Sequence, residues 1–133
     1  MNSTNDLISD MLTRLRNASL VKKKTVVIPK SKMTLQIAQV LCDEGFINTF
    51  QVKKEEPYSF TIVLKYLGKQ FKPAFLSMQR VSKPGRRMYT NSKRIPEVLG
   101  GIGVAILSTP QGILTDRVAR KKKLGGEILC YIY

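Results

Sequence analysis

A chain of 133 residues with an ordinary apolar share suits one compact domain or two small lobes, and is too apolar for a disordered tail. Its 23 basic and nine acidic residues give a net charge of +14, which calls for an anionic partner, nucleic acid ahead of a membrane surface. With no histidine and no CxxC pair, a zinc site and a histidine base are both ruled against.

No apolar run approaches membrane-spanning length, so no membrane partner is expected. The opening MNSTNDLISDML carries Asp6 and Asp10 before any basic residue, unlike a signal or transit peptide. The expectation is a protein that acts in the compartment where it is made. Cys42 and Cys130 lie inside apolar runs and read as small buried hydrophobes. Neither has a histidine partner, so thiol catalysis is remote.

In chain order, a first helix is expected over residues 3–19. Leu7, Ile8, Met11, Leu12 and Leu15 share one face at helical spacing. Ser3, with Asp6 three residues on, is close to a capping box. Arg14 and Arg16 leave its second half, either as a solvated face or as phosphate contacts. Lys22, Lys23 and Lys24 form a basic loop before a short strand, 25–28, ended by Pro29. Ser31 is placed to cap a second helix reaching residue 44. Met33, Ile37, Val40 and Leu41 form its apolar face, and Gly45 supplies the left-handed stop. A strand over 46–54 turns at Glu55, Glu56 and Pro57 and returns over 58–67, where Phe60, Ile62 and Leu64 alternate. The first half is therefore an α-β-α-β-β lobe. No glycine-rich phosphate loop opens either helix, and no cofactor is expected.

The texture changes after Pro57. Residues 57–96 hold nine basic residues and no acidic one, which favours a phosphate-facing surface over a solvated charge run. A strand is expected over 75–81. Lys83, Pro84 and Gly85 then turn the chain and present Arg86 and Arg87. Tyr89 follows in an extended stretch, ahead of the polar segment holding Asn91, Lys93 and Arg94. It is either a core aromatic or a stacking partner for an unpaired base. The compositional shift over 67–73 divides the chain into lobes 1–68 and 69–133.

The last 31 residues read GVAILSTPQGILTDRVARKKKLGGEILCYIY. An apolar strand, Val104 to Leu107, stops at Ser108 and Thr109, and Pro110, Gln111 and Gly112 turn the chain. Thr115, Asp116 and Arg117 look like the start of a basic helix that ends near Gly125 and Gly126. A final apolar strand closes the chain. The second lobe is thus mostly β with one short basic helix, and the whole is an α/β chain of the α+β kind. STPQG is an ordinary turn composition. A structural hairpin turn is the default, and the alternative is a loop whose short hydroxyls reach a sugar, phosphate or base edge, with Gly112 permitting close approach. Asp116 suits a helix dipole. Glu127, at a strand start in a chain short of acids, is either an exposed strand-end residue or a carboxylate holding Ser108 or Thr109. Arg117, Arg120, Lys121, Lys122 and Lys123 add charge beside the loop. No recognition helix for duplex DNA is evident, so RNA is the better match, and no catalysis is expected.

These residues carry a strong resemblance to the eighth protein family of the small ribosomal subunit, in its bacterial and plastid form. DMLTRLRN (10–17), EGFI (44–47), QRVSKPGRRMY (79–89), STPQGILTDR (108–117) and GGEILCYIY (125–133) match across the chain. The resemblance implies a two-lobed RNA-binding protein of the ribosome that binds the central domain of small-subunit (16S) ribosomal RNA and helps assemble the platform. It implies neighbouring small-subunit proteins as partners and, in bacterial members, binding of messenger RNA as autogenous control. A free-standing RNA-binding regulator or chaperone is the alternative. Matched residue by residue, Ser108, Thr109 and Gly112 fall on the RNA-contact loop, Tyr89 on an aromatic packed against distorted bases, and Glu127 on the carboxylate that braces the loop hydroxyls. The basic segments themselves, rather than the resemblance, add Arg86, Arg87, Lys93 and Arg117 as the expected cationic RNA contacts. Pro110 departs from the family pattern, where a hydroxyl residue is common, and Arg86 stands where leucine is usual. SKRIPEVLGGIG (92–103) is closer to plastid-encoded members, which implies a plastid stroma ahead of a bacterial cytoplasm.

Overall fold

In the computed structural model the described residues are 6–133, so the expected Ser3 cap lies outside them. The described residues form two compact units, Leu7–Leu76 and Ser77–Tyr133, with Asp6 belonging to the second. The first contains helix α1 (Leu7–Leu20), strand β1 (Thr25–Pro29), helix α2 (Lys32–Asp43) and strands β2 (Ile47–Gln51) and β3 (Ser59–Leu64). Two short strands follow, β4 (Tyr66–Leu67) and β5 (Lys72–Pro73). The α-β-α-β-β order is as the sequence predicts.

The central strand of its main sheet is β3, antiparallel to β1 on one side and β2 on the other. Its alternation puts Phe60, Ile62 and Leu64 inward. Ile8, Met11, Leu12 and Leu15 of α1 and Ile37 and Leu41 of α2 are buried with them. Each such side chain contributes about 1.5–3 kcal/mol when fully buried. Met33 departs from expectation, at 38% exposed, and Val40 is only half-buried. The inward positions of α2 are Thr34, Ile37, Ala38 and Leu41, an i, i+3, i+4, i+7 set. Thr34 belongs there because it completes a capping box: its amide donates to the Ser31 hydroxyl at 3.0 Å, and its own hydroxyl accepts from the Ser31 amide at 2.9 Å.

The β4–β5 pair explains where the first unit ends. Tyr66 pairs with Pro73 and Leu67 with Lys72, and the Ala74 amide donates to the Lys65 carbonyl. These bonds keep residues 69–74 with the first unit, past the 68/69 division read from composition.

The second unit contains β6 (Met78–Arg80), β7 (Tyr89–Thr90), a 3-10 turn (Leu99–Gly101), β8 (Val104–Thr109), β9 (Gly112–Thr115), α3 (Asp116–Lys122) and β10 (Gly126–Ile132). The strand expected over 75–81 is only three residues long. The organising strand is β10. It pairs antiparallel with β8 along one edge and with β6 and then β7 along the other, while β9 extends the sheet beyond β8. A register shift between Ile128 and Cys130 bends it. Ile95, Val98, Ala105, Leu107, Ala119 and Ile128 form a buried cluster. Cys130 is fully buried, and lost hydration pushes its thiol up to about 12.

Candidate nucleic-acid interface

Where β10 begins, Glu127 lies directly opposite Tyr89 of β7 on one side and Ser108 of β8 on the other. Directly opposed residues of antiparallel strands share a face. Tyr89, Glu127 and Ser108 therefore form one row across three strands. Tyr89 is 70% exposed, which sets aside its reading as a core aromatic.

Two glycines draw those strands together. A Cβ on Gly126 would overlap the Ser108 carbonyl oxygen, and one on Gly125 would overlap that of Thr90. Gly125–Gly126 reads in the sequence as a helix stop. That task falls instead to Lys123, the left-handed C-cap of α3 at φ +58. The glycines are there for close approach.

The 108–112 loop joins β8 to β9, with Thr109 paired to Gly112 across it. The Thr109 hydroxyl donates to the Gly112 carbonyl at 2.8 Å and accepts from the Gln111 amide at 3.2 Å. Gly112 has φ +105, a conformation costly for any residue with a Cβ. Nothing lies within 4 Å of where its Cβ would be, so its backbone is open to a ligand. Pro110 is exposed at the tip and has no amide hydrogen to offer.

Glu127 does not hold the Thr109 hydroxyl, which is engaged within its own loop. Its Oε2 accepts from an Arg87 guanidinium nitrogen at 3.1 Å. Among the described residues the Ser108 hydroxyl has no hydrogen-bond partner, so it stays available beside that ion pair. The carboxylate fixes an arginine rather than the hydroxyls, because the 82–88 turn delivers Arg87 to it. Lys83 and Arg86 exchange backbone hydrogen bonds of 3.0 and 2.9 Å, closing the turn and leaving Arg86 exposed. Buried Ser82 accepts from the Met88 amide at 2.7 Å, and Met88 in turn accepts from the Ile128 amide on β10.

Beyond Tyr89, an open recess of about 390 Å³ is lined by Tyr89, Thr90, Asn91, Arg94, Pro96 and Ile128. The Asn91 side chain accepts from the Lys93 amide at 3.0 Å and shapes this turn. Arg94 falls in the basic run read as phosphate-facing, whereas Asn91 is not among the candidate contacts read from the sequence. Their signal was present in the polar run after Tyr89, which shows no apolar period. Among the described residues Lys83, Arg86, Lys93 and Arg94 form no ion pair.

Other cations are tethered to backbone carbonyls, Arg117 while staying exposed. Arg80, with its side chain 7% exposed, pairs with Asp6 and donates to the Leu129 carbonyl at 2.7 Å. Arg117 donates to the Gly101 carbonyl and Arg120 to that of Pro96. Asp116 does more than complement a helix dipole. It is 1% exposed, accepts from the Ala105 amide at 3.1 Å and pairs with Arg120 at 2.8 Å, fastening α3 to β8.

A basic α+β chain presenting an aromatic ring, a free hydroxyl and unpaired cations on one sheet is built as a binding protein. Among the described residues no cluster of side chains suits a metal ion, and no helix is long and apolar enough to cross a membrane. Residues 6–133 match the family described as ribosomal protein S8. The chain is 57% identical over 132 residues to the small ribosomal subunit protein uS8 of Microcystis aeruginosa, covering 98% of this chain and 99% of that one. It is 56% identical to the uS8 protein of Prochlorococcus marinus, with the same coverage. Against the uS8c protein of Physcomitrium patens it is 52% identical over 130 residues, covering 97% of this chain and 98% of the other. The chain belongs to the ribosomal protein S8 family, a family of structural proteins and not of enzymes.

Proposed function

We propose that this structural protein of the small ribosomal subunit binds the central domain of small-subunit ribosomal RNA and helps assemble the platform. The binding face is the row Tyr89–Glu127–Ser108 with the 108–112 loop at one end and the 86–94 segment at the other. The observation that carries this reading is the cinching of β7 and β8 onto β10 by Gly125 and Gly126, which sets an exposed ring beside an unpartnered hydroxyl. Tyr89 stacks on an unpaired base. Ser108, Thr109 and the Gly112 backbone hydrogen-bond to sugar or base edges, and Arg86, Arg87 and Lys93 neutralise phosphates. Glu127 fixes the direction of Arg87. Arg117 adds field from its tether at Gly101. Neighbouring small-subunit proteins complete the assembly. The likeness of 92–103 to plastid-encoded members favours a ribosome of the plastid stroma.

The test compares wild type with the double variant Ser108→Ala, Thr109→Ala on two RNAs, an irregular helix from the central domain and a uniform duplex. Two lost hydrogen bonds at roughly 0.5–1.5 kcal/mol each weaken the irregular helix about 5- to 150-fold. Binding to the duplex, held by charge alone, changes less than about twofold. Equal losses on both RNAs would overturn the loop as the selective element.

A further inference from the structure

The first unit holds a cleft of about 540 Å³ whose lining includes Lys22, Lys24, Lys65, Tyr66 and Phe71 and no carboxylate. Tyr66 and Phe71 stack with centroids 4.7 Å apart and planes 9° from parallel. The Tyr66 hydroxyl donates to the Lys23 carbonyl, which fixes the inner ring. Phe71 is 53% exposed and has φ +57, a left-handed conformation that a residue with a bulky side chain adopts at a cost. Burial offsets little of that cost, since half of the side chain stays in water.

The surrounding loops are pinned. Lys22, left-handed at φ +56, donates from Nζ to the Gln70 carbonyl at 3.1 Å and ties the basic loop to the Phe71 loop. The Lys24 carbonyl accepts from the Leu64 amide at 2.9 Å. The Phe71 amide donates to the Gly68 carbonyl at 3.2 Å, closing its own turn. The result is a preformed aromatic step, one ring backed by another and ringed by ammonium groups.

We propose that this cleft is a second RNA contact that takes one unpaired nucleotide. The base stacks on the outer face of Phe71, and the flanking phosphates meet Lys22, Lys24 and Lys65. Every base has a face to stack, and a lysine ammonium is a point charge, so this contact is tolerant of sequence. The inference rests on the reading of the chain as an RNA binder and extends it to the first unit.

The test uses the full chain and a fluorescein-labelled ten-nucleotide oligoadenylate RNA, followed by anisotropy at low salt. Phe71→Ala weakens the decamer about tenfold, the loss of one stacked base, and Phe71→Trp restores it. The double variant Ser108→Ala, Thr109→Ala keeps decamer affinity within about twofold while losing the irregular helix. Unchanged decamer affinity in Phe71→Ala would overturn the proposal. So would parallel losses of both RNAs in both variants, which would mean a single site. A photo-reactive phenylalanine at position 71 crosslinks to RNA in assembled small subunits; crosslinking to protein instead would also overturn it. Failure of the loop variant to discriminate RNAs, with the Phe71 effect intact, would count against the main interface alone.

Discussion

Single residues decide whether the interface exists. At Gly126 a methyl group has nowhere to go, because the Ser108 carbonyl occupies its place. Gly126→Ala therefore pushes β8 from β10 exactly where Ser108 and Glu127 face each other. The expected cost is about 1–3 kcal/mol, visible as a lower melting temperature, together with weaker binding to the irregular helix. Cys130 gives a prediction in pH. Its folded-state thiol titrates near 12, above an ordinary value of 9, so the folded protein keeps a proton that the unfolded chain loses first. The stabilisation is complete below pH 9 and disappears as pH rises toward 12. The stability gap between wild type and Cys130→Ala should narrow over that window in denaturant titrations; a constant gap would mean that the thiol is not held neutral by burial. At this scale the sequence shows residue types but not partners. Tyr89, Ser108 and Thr109 are legible as candidates, whereas the pairing of Glu127 with Arg87 spans 40 positions and leaves no local trace. The burial of Asp116 is hidden for the same reason: a first-turn aspartate looks the same whether it faces water or a strand amide.

Elements were legible where one period ran long enough. Helix α1 and strand β3 each repeat their pattern over several residues, and both stand as the spacing predicts. Helix α2 shows how a local rule and a pattern compete. Met33 looks like part of the apolar face, but the capping box turns Thr34 inward and leaves Met33 at the surface. Ser31→Ala removes the acceptor for the Thr34 amide and leaves a buried threonine with a weakened network. It should cost about 1 kcal/mol in chemical unfolding without affecting either RNA. Strands of two or three residues, β4 to β7, are too short for any period to appear. They exist because β10 offers an edge to β6 and β7 and because β4 and β5 pair with each other, and that is a property of the tertiary structure. The 68/69 division differs from the one at Leu76/Ser77 because composition follows charge, whereas the units follow hydrogen bonds.

Across the whole molecule, charge supplies attraction and geometry supplies choice. A net charge of +14 attracts polyanions at long range, and that attraction falls steeply as salt rises. Selectivity needs the few places where hydroxyls, open backbone and a ring are held at fixed separations. Arg80 and Arg120 are tied into the fold, so the raw count of basic residues overstates the binding surface. Family membership was legible from motifs spread along the chain, and the match over residues 6–133 agrees with it. The most direct test of the interface is nucleotide-resolution footprinting of complete small-subunit ribosomal RNA by the full chain. One loop-dependent protected patch is predicted, confined to an irregular helix of the central domain: it is lost with Ser108→Ala, Thr109→Ala and retained with Lys121→Gln, while protection at the Phe71 contact survives both variants. Protection spread evenly along the RNA, or a patch that survives the loop variant unchanged, would contradict the account.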